Sequence, residues 1–523
     1  METFGKRGFT RRAALTQLGA AFAATALPAR LLRAAETPRF RSDPFSLGVA
    51  SGYPGPDTVV LWTRLAPNPL EPGGGVAANS VIPVNWAIAA DEHMRQVVQQ
   101  GVYYATPEWA HSVHAEPTGL QAGRDYWYRF TAGSARSPIG HTRTAPRPDA
   151  ANARLRLAVA SCQQYEHGYY AAYRHMLDDD LDLIVHVGDY IYETSWGVNP
   201  IRSHNAPEIF TLDDYRARYA LYRGEPELQA AHAAYPWLVT WDDHEVENDY
   251  AGETSEGDDP AEWFLARRAA AYHAYYEHMP LPRGAVPYGS QMRLFTQRSF
   301  GQLANFLMLD SRQYRTPLAC TDRARRNSRS VNCPELFDIQ RTKLGEWQEN
   351  WLAARMLASR SRWNLFAQGT VMAYIDDLPG PGEAFWNDGW NGYPAARARL
   401  MEIMVQSKIS NPIVLSGDIH SFLVSNQHHT PNDRESPIVA SEFVTTSITS
   451  QGVAQASLDA RRTENPNVLF ASSERRGYVL LDLQPERLKA DLVAMETVAR
   501  PDAGKFVQTS FVVENGKPGP VQE

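Results

Sequence analysis

The sequence predicts an α/β domain preceded by a small β-sandwich, on three observations. Over residues 153–510, short apolar runs alternate with helix-like stretches; over residues 40–145, period-two segments alternate with Pro/Gly-rich turns. The third observation is length: 523 residues exceed what one compact domain usually holds.

In the first part, "TVVLWTRL", "PVNWAIA" and "DYWYRFTAG" carry the two-residue alternation of half-buried strands. In "GLQAGRDYWYRF", Leu120 and Tyr126 fit the tyrosine corner of immunoglobulin-like and fibronectin-like sandwiches. "TAPRPDAANA", Thr144 to Ala153, reads as an interdomain linker.

Beyond the linker the pattern changes. "RLRLAVA", "LDLIVHV", "PWLVTW", "NFLMLD", "WNLFAQ" and "NPIVLSG" predict strands, and "YYAAYRHML", "AEWFLARRAAAYHAYYEH" and "KLGEWQENWLAARML" predict helices. Strands alternating with helices imply buried, largely parallel pairing. There is no internal repeat or low-complexity segment.

Residues 1–35 differ from the rest. Paired Arg11 and Arg12, an Ala/Leu-rich run and small residues at Ala24 and Ala26 predict a Tat-type signal peptide, hence transfer by the Tat translocase to a periplasmic or extracellular location. No later segment is long and apolar enough to span a bilayer, so none is expected in the mature protein. Removing the leader's net +5 takes the formal charge from −8 to about −13. That charge, without basic runs, argues against stable nucleic-acid binding. Any positive field for an anionic substrate must then be local, and a metal is the economical source. Cys320 and Cys333 flank an Arg-rich polar loop that a disulfide can staple in an oxidising compartment, leaving Cys162 over.

Metal-ligating residue types gather where predicted strands end: Cys162 after "RLRLAVAS", Asp189 and Tyr192 after "IVHVG", Asp243, His244 and Asn248 in "WDDHEVEND", Asp418 and His420 in "GDIH". Ligands of α/β folds sit beyond such strand ends, so these donors are expected to converge on one site. Carboxylates and amide oxygens suit calcium, magnesium or manganese; thiolate and imidazole suit iron, zinc or copper. A phenolate and a thiolate on one ion favour ferric iron, with a divalent ion such as calcium on neighbouring oxygens. Elsewhere, Asp310, Arg312 and Arg315 fit the border of the site or, better, a strand-end ion pair, and His273 and His278 read as structural or surface residues. Trp386, Trp390 and Tyr393 fit either an aromatic wall for a leaving group or ordinary loop packing.

These segments, "SCQQYEHGYYAAYRHM", "LDLIVHVGDYIYE", "WLVTWDDHEVEND", "LDSRQYR", "WNGYP" and "LSGDIHSF", resemble the signatures of PhoD-type alkaline phosphatases, within the calcineurin-like metallophosphoesterase superfamily. The resemblance runs from about Phe45 to beyond Met495. It implies a metallophosphoesterase-type α/β sandwich and an exported phosphoesterase carrying one ferric iron and one or two calcium ions. Cys162, Asp189, Tyr192 and His420 would hold iron, with Asp189 bridging, and Asp418 would hold calcium. Asp243 and Asn248 are both open as the oxygen donor of the third segment. His244 would stabilise the phosphoryl group or protonate the leaving group. Expected substrates are small-molecule phosphomonoesters, with phosphodiesters also in range, cleaved by metal-activated water. The alternatives are a phosphodiesterase or phospholipase D-like enzyme of the same fold, and a non-catalytic surface-binding protein.

Overall fold

Runs of Leu, Ile and Val too short for helices form the strands that organise the chain. The computed structural model describes residues 39–523 apart from 321–328, 332, 379, 432 and 434. The expected signal peptide, residues 1–35, lies outside the described residues.

Two large sheets dominate a mixed α/β fold with few helices. At the centre of the ten-stranded sheet, Leu155–Ala160, Leu183–His186 and Pro236–Val239 run parallel, with Leu183 opposite Leu157 and Ile184 opposite Trp237. The seven-stranded sheet has four parallel strands, Ala304–Met308, Trp363–Ala367, Pro412–Ser416 and Ile438–Val444. Leu157, Ile184 and Leu238 of the first sheet share one buried cluster with Leu365, Ile413 and Phe443 of the second. The two sheets are therefore layers around a common core.

Parallel pairing stops at the C-terminal side of the ten-stranded sheet, where Gly477–Leu483, Arg487–Met495, Lys505–Glu514 and Lys517–Gln522 are antiparallel. The short connection from Leu483 to Arg487 dictates this, because a parallel return needs a crossover of about a dozen residues.

The strand-like segments of residues 40–145 divide between two sheets. Ile82–Ala89, Val97–Ala105, Asp125–Ala132, Ala135–Arg136 and Gly140–Arg143 form an antiparallel sheet. Its inner face, with Val84, Ile88 and Tyr128, packs on Val49, Leu61 and Val113. Those three belong to Val49–Gly52, Val60–Arg64 and Ser112–Ala115, which extend the ten-stranded sheet. Val49–Gly52 pairs in parallel with Pro236–Val239, Ser51 lying opposite Pro236. Leu120 packs on this cluster, and the Tyr126 hydroxyl accepts the Gln121 N–H at 2.9 Å.

The helix Ala261–His278 coincides with its predicted stretch. His278 donates from Nδ1 to the Ala274 carbonyl and accepts from Arg64 Nη1 at 2.6 Å, and His273 stacks on Trp109, so both histidines serve packing. Cys320 and Cys333 are disulfide-bonded, and Cys162 is free and buried. Among the described residues, no helix is long and apolar enough to cross a membrane.

Candidate active site

The strand ends of both layers meet at one cavity of about 700 Å³. Cys162, Asp189 and Asp243 follow three parallel strands of the ten-stranded sheet, whereas Asp418 and His420 follow Pro412–Ser416 of the other. Cys162, Asp189, Asp418 and His420 all leave their strands in the left-handed region, with φ of 57°, 56°, 71° and 53°. Non-glycine residues adopt that conformation at a cost of about 1–2 kcal/mol each. Aspartate and histidine enter this region more readily than other side chains, which leaves Cys162 as the costly one of the four.

Asp189 is the common member of two donor clusters. Ligating atoms of Cys162, Asp189 and His420 lie within 4.8 Å of one another, as do those of Asp189, Asp243 and His244. Tyr192 joins the first: its hydroxyl is 2.9 Å from Asp189 Oδ2 and 3.1 Å from His420 Nε2. An octahedral ion with bonds of about 2.1 Å spaces neighbouring donors about 3.0 Å apart, so these separations suit one coordination sphere. His420 donates from Nδ1 to the Gln451 carbonyl at 2.8 Å, which leaves the Nε2 lone pair facing Tyr192 and Asp189. Burial and then Arg476 pull the His420 pKa down to about 3, so its imidazole is neutral at pH 7.

In the second cluster, Asp243 Oδ2 accepts the Asp249 N–H at 2.7 Å, and Oδ1 makes no hydrogen bond. Asp189 Oδ1, Asp418 Oδ2 and Asp249 Oδ2 are likewise buried without a hydrogen bond. Asn248 also lines the cavity; its amide nitrogen donates to Glu256, turning the amide oxygen away from that contact. The structure thus brings both Asp243 and Asn248 to the site.

The electrostatics agree with a cation-binding role. Burial pushes the Asp189 pKa up to about 7 and that of Asp418 well above the carboxylate range, the latter helped by Asp242. Burial, then Asp189 and Cys162, raises that of Tyr192 as well. Acids crowded in this way must hold protons or cations. Unpartnered carboxylate oxygens, thiol, phenol and neutral imidazole around a shared Asp189 fit two adjacent metal ions, one with soft and anionic donors and one with oxygen donors.

Several functional contacts escaped the sequence reading. Glu193 accepts from His244 Nδ1 at 2.7 Å through one carboxylate oxygen and from the Asn248 N–H at 2.9 Å through the other. Burial opposes a charge on His244, but Glu193, Asp243 and Asp189 together hold its pKa well above the ordinary value. Glu245 receives the backbone N–H groups of Asp189, Tyr190 and Asp242 and so fixes two of the strand ends to each other. Ser450 donates to Tyr192 at 2.8 Å from a Ser/Thr-rich loop with no spacing signal. Arg312, fully buried, pairs with Asp242, with Asp388 at 2.6 Å and with Asp243 at 3.4 Å, and Arg315 pairs with Asp388 at 2.7 Å. Arg312 and Arg315 thus form the expected ion pairs, and one reaches a candidate ligand, whereas Asp310 accepts the backbone N–H groups of Arg312 and Gln313 instead of pairing with either guanidinium. Of the three aromatic residues left open, Trp386 lines the cavity while Trp390 and Tyr393 are buried in packing.

Comparison with known proteins places this site. The model of the PhoD-like phosphatase family matches residues 157–492, and that of the PhoD-like phosphatase N-terminal domain matches residues 31–146. Alkaline phosphatase D of Bacillus subtilis (strain 168) is 45% identical over 492 residues, covering 92% of this chain and 83% of that protein. A solved structure described as the structure of PhoD superposes with a TM-score of 0.89 at 44% identity, covering 93% of each chain. These matches define a class, the phosphoric ester hydrolases. Within it, the chain belongs to the PhoD-like phosphatase family.

Proposed function

We propose that this chain is an exported, metal-dependent phosphoesterase that hydrolyses small-molecule phosphomonoesters, and phosphodiesters as well, releasing phosphate from the monoesters. In this reading the catalytic core is a metallophosphoesterase-type sandwich, residues 40–145 are an immunoglobulin- or fibronectin-like sandwich, and the Tat route delivers the protein to the periplasm or beyond. The observation that carries the proposal is the double cluster of donors around Asp189 in a cavity whose described lining holds eight carboxylates against one guanidinium. A bare phosphate ester would be repelled there.

Cys162, Asp189, Tyr192 and His420 would hold a ferric iron, and Asp189, Asp243, Asn248 and Asp418 one or two calcium ions. When bound, the cations supply the positive charge that the cavity lacks and make water acidic enough to act as nucleophile. The chain's own residues do the rest. Asp189 joins the two clusters, and Gln451 and Ser450 hold His420 and Tyr192 in orientation. Glu193 fixes the proton on Nδ1 of His244, leaving Nε2 to meet the departing oxygen and donate a proton to it. Diesters enter the proposal because a cavity of about 700 Å³ has room for a second ester group.

The test uses protein from an iron-supplied host, with metal analysis, a visible spectrum and p-nitrophenyl phosphate hydrolysis on one sample. Wild type should show a tyrosinate-to-iron band that Tyr192→Phe abolishes together with most of the activity. A colourless, active, iron-free enzyme would discard the iron, and inactivity on monoesters and diesters alike would discard the reaction.

A further inference from the structure

The cavity has a second, apolar end that the cleavage chemistry does not use. Trp386, Ile419 and Leu458 line the cavity too, and a smaller recess shares these three and continues between Val371, Ile375 and Leu423, with Asp377 and Arg461 lining both. Ile419 ties the two ends together. It sits between the candidate ligands Asp418 and His420 and packs on the cluster of Val371, Leu423 and Leu458. The lining is therefore continuous from the donors to this apolar cluster.

Size and charge narrow what that group is. Cavities of about 300–1,000 Å³ take ligands of drug size, so most of the present volume is left to the part of the ester beyond phosphorus. Among the described residues lining the cavity, the only Lys or Arg is Arg461, and its Nε lies 2.9 Å from Asp377 Oδ1. A second anionic group would meet acids rather than bases. Leu458 and Arg461, three apart on the helix Gln455–Glu464, present one face to the cavity, where Arg461 is already neutralised by Asp377.

Trp386 is held in place from outside. It ends the strand Ala384–Trp386, which pairs with Arg329–Val331, and Asn387 donates to the Ala319 carbonyl at 2.7 Å. Phe385 packs in the cluster of Ala319, Cys333 and Leu336 next to the Cys320–Cys333 disulfide. Alternation along a strand then sends Trp386 to the opposite side, toward the cavity. The staple thus braces the segment that carries this indole.

We propose that the Trp386–Ile419–Leu458 wall is the leaving-group subsite, and that it favours esters of aromatic or other uncharged apolar alcohols over esters of polyols. The proposal rests on the phosphoesterase reading and deepens it. The test is kcat/KM of metal-loaded wild type, Trp386→Ala, Trp386→Phe and Leu458→Ala on 1-naphthyl phosphate and on glycerol 2-phosphate. Each variant is compared with wild type on the same ester, which cancels the difference in leaving-group reactivity. A single methylene in an apolar pocket is worth about 10–200-fold in kcat/KM, which sets a lower scale for losing an indole. Trp386→Ala should lose at least about tenfold on the naphthyl ester and stay within about twofold on the glycerol ester. Trp386→Phe should recover most of the loss, and Leu458→Ala should repeat the pattern at roughly tenfold. Equal losses on both esters, or no loss on the naphthyl ester, would overturn the subsite. Should Trp386→Ala fail to fold, Leu458→Ala and Trp386→Phe decide the matter. A wild type inert on both esters would instead remove the phosphoesterase reading and the subsite with it.

Discussion

Glu193→Gln is nearly isosteric, and the geometry gives it a specific chemical consequence. One carboxylate oxygen accepts from His244 Nδ1 at 2.7 Å and the other from the Asn248 N–H at 2.9 Å. A carboxamide has only one accepting oxygen, and the Asn248 N–H is always a donor. The amide NH2 must therefore turn to His244, where it can be accommodated only by an unprotonated Nδ1. The imidazole is then held neutral, with its proton on Nε2, and its value as an acid falls. Losing a charge-assisted hydrogen bond costs about 1.5–3 kcal/mol, or roughly 10–150-fold in rate. The assay is kcat on two monoesters, an alkyl phosphate whose leaving alkoxide needs a proton and p-nitrophenyl phosphate whose phenolate does not. We expect a loss of about 10–150-fold on the alkyl ester and under about threefold on the aryl ester. Equal losses on the two would mean that Glu193 holds structure rather than proton donation, and the reasoning would fail.

Two further outcomes concern stability. Arg312→Met strands the buried carboxylates of Asp242, Asp243 and Asp388 and should cost about 3–5 kcal/mol by urea unfolding; a change under about 1 kcal/mol would contradict the role given to Arg312. Burial raises the Asp388 carboxyl, but Arg312, Arg315 and Lys343 outweigh it and hold its pKa below the carboxylate range, so its contribution is present above about pH 4 and is lost as pH falls. The gap between wild type and variant should accordingly narrow in acid. Chelator-treated wild type should behave oppositely: Asp189, raised by burial to about 7, stabilises below about pH 4 and loses that contribution as pH rises through 7. Its thermal midpoint should fall between pH 5 and 8 and recover on adding calcium, and a midpoint indifferent to calcium at pH 8 would refute the cation site.

The strands, the long helix and the strand-end donors were legible because each leaves a local mark. "IVHVGDYIY" carries an apolar run and then a break, and "AEWFLARRAAAYHAYYEH" lacks any breaker. What sequence could not supply is pairing over long separations. Nothing in "VASG" says that Ser51 will lie opposite Pro236, so the layers of residues 40–145 read as a body apart while one of them extends the ten-stranded sheet. Nor does spacing reveal that the donors arrive from two sheets. Glu193 was in view beside Tyr192, but its task depends on where His244 folds. Ser450 and Gln451 lie some thirty residues beyond His420, in a loop whose composition resembles any other.

The left-handed backbone at Cys162, Asp189, Asp418 and His420 bears on what the fold and the site each ask of a residue. At such positions glycine is the residue that folding alone prefers, because it lacks the Cβ that makes the conformation costly. Asparagine, aspartate and histidine enter it more readily than other side chains, so Asp189, Asp418 and His420 are residue types that the conformation itself admits. Cys162 is the member of the four whose side chain gives the backbone no such help. Glycine at position 162 would ease the backbone and remove the sulfur in the same stroke, so backbone comfort and a thiol donor exclude each other there.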